Sequence, residues 1–135
     1  MSSSISTVTK EFFVWADRSL SEPIPQATVA FHFNLYEGET SVHVQIIGTE
    51  SFIPGEDPER DYWPSAETFT TGEEVFEIPF SVAGSNWQEW LKTSKEMVTQ
   101  YIAKGAKSNV LRNSQGVGIG FVDGDMYVLW QTGDA

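Results

Sequence analysis

His32 and His43 are the only imidazoles in this chain of 135 residues, and there is no cysteine. Both fall on the polar positions of segments that alternate apolar and polar residues. Two imidazoles on facing strands can hold zinc, but zinc needs a third and usually a fourth ligand, and here carboxylates would have to supply them. The plainer reading is two surface imidazoles on a sheet face. A serine nucleophile needs a histidine base and an orienting acid. No Gly-x-Ser-x-Gly elbow occurs, and Ser85 stands where it caps a helix.

Asp57-Pro58-Glu59-Arg60-Asp61 begins like a calcium loop. The pattern then fails, with Tyr62 where glycine belongs and Thr68 where the bidentate glutamate belongs. Nineteen acidic residues make carboxylate pairs inevitable by chance, so no glycosidase-like dyad stands out. Gly116, Gly118 and Gly120 suggest a dinucleotide loop, but Phe121 occupies the third glycine position. That loop also joins a strand to a following helix, whereas here a helix precedes and strands follow. No cofactor and no metal site is expected.

The glycine run reads better as half of a hairpin. Asp123-Gly124 is a favoured two-residue turn. It would pair Phe121 with Met126, Ile119 with Val128 and Val117 with Trp130, all on one apolar face. Tyr127 and Leu129 would then lie over Gly120 and Gly118, as packing or as a partly open contact surface.

Other segments must position these groups. Val29, Phe31, Phe33 and Leu35 alternate with polar or small residues, as do Val42, Val44 and Ile46. This is a hairpin of half-buried strands. Its loop is Glu37-Gly38 or Gly38-Glu39, and either keeps one face apolar. Residues 10–16 (KEFFVWA) read as a first strand, after a loose segment over residues 1–9. Strand character returns over residues 68–82, where Pro79 marks an edge or an end. Ser85 and Gln88 form a capping box. Trp87, Trp90, Leu91, Val98, Tyr101 and Ile102 follow at helical spacing, interrupted by Ser94, so a helix spans about 86–104 and stops near Gly105. Residues 106–115 are a polar linker that Val110 and Leu111 anchor. The expected fold is a single α+β domain over residues 1–135, ordered β, β-hairpin, β, α, β-hairpin, with a mostly antiparallel sheet and one main helix on a face.

The formal net charge is −11. That argues against binding a nucleic-acid backbone, which requires clustered lysine and arginine. No stretch approaches the roughly 20 apolar residues of a membrane span, and the N-terminus lacks signal-peptide character, so a cytoplasmic protein is expected. Charge is also segregated along the chain. Residues 50–77 hold nine acids and one base, and residues 89–112 hold five bases and two acids. The long segment over residues 53–67 has three prolines and two aromatics, Tyr62 and Trp63, among its acids. Segments of this kind are often functional. Carboxylates steer encounter and aromatics supply contact energy, so Glu56, Asp57, Glu59, Asp61, Tyr62 and Trp63 are candidate contact residues for a basic protein partner.

In size, charge, lack of cysteine and α+β pattern the chain resembles the small acidic immunity proteins that bacteria make against their own toxins. The resemblance implies an inhibitor that occupies a basic cleft with carboxylates and aromatics, and not an enzyme. It rests on no family motif. Two alternatives are a dimeric secretion chaperone, and a small-molecule-binding or enzymatic domain with its site between sheet and helix.

Overall fold

The computed structural model describes residues 5–50, 67–72, 74–121 and 126–131. The chain begins with α1 (Ile5–Leu20), followed by the hairpin β1 (Ala30–Glu37) and β2 (Ser41–Thr49). Next come β3 (Glu67–Thr70), β4 (Phe76–Pro79), the single turn α2 (Phe80–Ala83), α3 (Trp87–Lys104), α4 (Ser108–Arg112), β5 (Gly116–Phe121) and β6 (Met126–Gln131). The class is α+β. The six-stranded sheet runs β3-β2-β1-β5-β6, with β4 also paired to β2. Every pair is antiparallel except β1–β5. No described helix is long and apolar enough to cross a membrane.

The first element corrects the sequence reading. Residues 10–16 are helical, and residues 5–9, expected to be loose, begin the same helix. Aromatic and β-branched residues crowd KEFFVWA and imitate a strand. Over the longer window the buried positions are Val8, Phe12, Trp15, Ala16, Ser19 and Leu20, spaced three and four apart. That is a helical stripe. Two main helices therefore cover the sheet instead of one. Phe12 joins them, since its ring meets Phe33 of β1, Phe76 of β4 and Tyr101 of α3 at centroid distances of 6.2, 5.4 and 6.1 Å.

α3 spans nearly the expected residues, but its cap lies one position later. Asn86 accepts from the Glu89 backbone N–H, and the Glu89 carboxylate accepts from the Ser85 N–H. This reciprocal arrangement does the work of a capping box. Ser94, the polar interruption, is buried and donates to the Trp90 carbonyl at 2.8 Å. The helix ends at Gly105, where a Cβ would run into the Tyr101 ring. The linker expected after it is partly helical, and Leu111 anchors it in the core.

The first hairpin adopts neither expected register. Leu35 faces Val44 and Phe33 faces Ile46, so the loop centres on Glu39-Thr40. The Gly38 N–H donates to the Ser41 carbonyl and closes that turn. The apolar face survives because all three registers differ by whole two-residue steps. The segment at 68–82 divides in two. β3 and β4 lie end to end along β2, and Thr71, which exchanges hydrogen bonds with the Ile46 backbone, stitches the break. Pro79 ends the strand, and Phe80 enters α2.

In the last hairpin Val117 faces Trp130 as expected. A bulge then shifts the ladder, so Ile119 faces Tyr127, Gly118 faces Val128 and Gly120 faces Met126. Strict alternation would send Tyr127 and Trp130 to opposite faces. The extra residue lets both aromatics pack against the core. The Asp123-Gly124 turn lies outside the described residues.

Candidate functional site

The two histidines, the most specific catalytic candidates in the sequence, do not form one site. His32 faces Ile47 and His43 faces Tyr36, so they are four positions apart along β1. That is roughly 13 Å of strand, too far for one metal ion. His32 is not a surface group. It is 1 % exposed, although it points to the face opposite the helices, and burial pushes its pKa down from 6.5 to about 4. Its neighbour in β5 is Gly118, and Gly116 and Gly120 lie on the same face. The glycine run is therefore an interior strand.

His43 lies toward the hairpin turn. Its Nε2 is 3.3 Å from a Glu77 oxygen, which also accepts from the Ser41 hydroxyl at 2.8 Å, and its ring meets Tyr36 edge-on. Serine and histidine both address the carboxylate and not each other, so this is not the relay a serine nucleophile needs. Among the described residues no group of three histidines or carboxylates converges as a metal site.

The six candidate contact residues, Glu56, Asp57, Glu59, Asp61, Tyr62 and Trp63, lie outside the described residues. Their attachment points are described. Thr49 of β2 and Glu67 of β3 are directly paired, so the intervening chain leaves and rejoins the sheet at one place. Exposed carboxylates surround this edge, with Glu50 and Glu67 at its end and Glu74 and Glu77 further along. A cleft of about 580 Å³ between α1 and β3 is lined by Arg18, Glu22, Phe69, Thr70 and Glu74, among others. The Trp15 indole donates to the Glu74 carbonyl and fixes this edge to α1.

Two bases of α3, Lys92 and Lys95, lie on the other side. α3 packs on β5, and its Lys95 ammonium stands 3.6 Å from the centroid of the Tyr127 ring on β6. An open cleft of about 470 Å³ there is lined by Trp87, Leu91, Lys92, Lys95, Glu96 and Tyr127. Sequence reading noted the basic run but not this cleft. Its signal was the four-residue spacing of Trp87, Leu91 and Lys95, which puts them on one side of a helix. Tyr127 was expected over a glycine, and the bulge moves it to the helix face.

No protein-family model, no curated protein and no solved structure matches this chain.

Proposed function

We propose that the protein is a binding module that neutralises a basic partner protein, as a toxin-immunity protein does. The observation that carries this reading is the sorting of charge by the sheet. Glu50, Glu67, Glu74 and Glu77 lie along the β3–β4 edge, and Lys92 and Lys95 of α3 lie beside Tyr127 at the opposite edge. Such a molecule presents its acidic edge to a basic cleft and steers the encounter. Glu56, Asp57, Glu59 and Asp61, in the segment between β2 and β3, add to its charge, and Tyr62 and Trp63 supply the apolar contact. Glu22, Glu74 and Phe69 in the neighbouring cleft suit a lysine or arginine of the partner. The protein works where its partner would otherwise act, which this reading places in the cytoplasm.

The test is affinity capture from the source organism with the tagged chain at low and moderate salt. The expected result is one basic protein in near-equal amount, held more weakly as salt rises. Recovery of the chain alone under both conditions overturns the proposal. With the partner in hand, Trp63→Ala should weaken the complex by about 2 kcal/mol or more. A change within about 0.5 kcal/mol would move the hot spot elsewhere.

A further inference from the structure

The opposite edge has a chemistry of its own. β6 is the outermost strand on that side, so among the described residues no strand pairs with its outer row of N–H and C=O groups. Tyr127 of this strand forms one wall of the cleft under Trp87. Trp87 is 54 % exposed, although large apolar side chains in this fold are otherwise mostly covered. The single ion pair among the described residues is His43–Glu77, so neither Lys92 nor Lys95 has a carboxylate partner there. Glu96 lines the cleft without pairing either lysine, and Glu89 is held by the helix cap. Burial lowers the pKa of Lys95, and the Tyr127 ring offsets part of that cost.

We propose that this edge binds an extended acidic segment of another polypeptide as an added strand beside β6. The segment's backbone completes the row left open by β6. One apolar side chain enters between Trp87 and Tyr127, and a carboxylate two residues along, on the same face, lies against Lys95 and Lys92. Charge selects this occupant. A two-fold pairing of β6 with a second copy would bring the same lysines to one shared edge, whereas an acidic strand neutralises them. The shape agrees, because the cleft lies open between α3 and Tyr127 of β6 and does not close around a small molecule. This site is separate from the acidic edge, so it stands or falls independently of the inhibitor reading.

The test uses the full chain and a labelled, end-blocked peptide of about ten residues in which serine fills every second position and valine and aspartate take turns at the others, so that both share one face, with serine in place of each aspartate in the control. Fluorescence anisotropy should show the acidic peptide binding at least about tenfold more tightly than the control. Hydrogen exchange should show new protection of the amides of residues 126–131. The double variant Lys92→Glu/Lys95→Glu should lose about tenfold or more in affinity, and Trp87→Ala about fivefold, with unchanged circular dichroism. Equal binding of both peptides, an unaffected double variant, or binding without protection of β6 would each overturn the proposal.

Discussion

The two edges of the sheet solve the problem of an exposed strand differently. The β3–β4 edge is broken in the middle. Thr71 and the Gln45 amide, which donates to the Gly72 carbonyl, hold the break, and carboxylates surround it. Short, charged and interrupted edges resist pairing with other strands. The β6 edge spans six residues, carries a bulge and has beside it an aromatic cleft with two lysines that pair with no carboxylate among the described residues. The first edge repels added strands and favours contact through side chains. The second, among the described residues, leaves its outer backbone row available. One core supports both, since α1 lies over β4, α3 lies over β5, and Phe12 touches both halves.

The sharpest way to break this comparison is to remove the joint. Phe12→Ala should destabilise the whole domain by about 3–5 kcal/mol. Urea unfolding followed at both edges should show one shared transition. Two separate transitions would mean that the edges are independent units.

His32 gives the next largest effect. Its folded pKa, about 4, lies below the ordinary 6.5, so the unfolded chain binds more protons between those values. Stability linked to His32 is intact above pH 6.5 and is lost as the pH falls toward 4, by on the order of 3 kcal/mol in all. Urea midpoints measured from about pH 7.5 to about pH 5 should fall more steeply for the wild type than for His32→Gln. Parallel curves would refute a buried neutral imidazole.

Two substitutions separate the edges. A Cβ on Gly48 would stand 2.9 Å from Phe69 Cβ and from Thr28 Cγ2. Gly48→Ala should therefore cost about 1–3 kcal/mol and loosen the β2–β3 pairing. Its effect on amide exchange should concentrate at the acidic edge. Asn86→Ala removes the cap of α3 and should cost about 1 kcal/mol, with faster exchange in the first turn around Trp87. If each variant loosened both edges equally, the division drawn here would fail. The smallest effect belongs to Glu77→Gln. Its carboxylate is largely exposed and its pairing with His43 faces water, so stability should move by less than about 0.5 kcal/mol in thermal melts.

Much of this could be read along the chain, and the failures share a cause. The bounds of α3 follow from spacing and caps inside one segment. The apolar face of the first hairpin follows from alternation, which a two-residue slip leaves intact, whereas a bulge reassigns the faces of β6. The candidate site was legible only in part. The basic run was visible, but Tyr127 was read as lying over Gly120, and its meeting with Trp87 required the sheet and its bulge. Register was not legible, because the two-residue turn moved to Glu39-Thr40 without altering either face. α1 was misread because contiguous aromatics fit a buried strand or a buried helix, and only a longer window separates the two.

By itself, then, the sequence determined the class of the fold, the extent of α3, which side chains face the core in the first hairpin, and the separation of charge along the chain. Tertiary structure decided the parallel pairing of β1 with β5, the bulge that turns Tyr127 toward α3, the burial of His32, and the placing of Glu67, Glu74 and Glu77 at one edge and of Lys92 and Lys95 at the other. The physical reason is range. Periodicity and capping act within a few residues, whereas burial, register and surface charge depend on segments that meet only when the chain is folded.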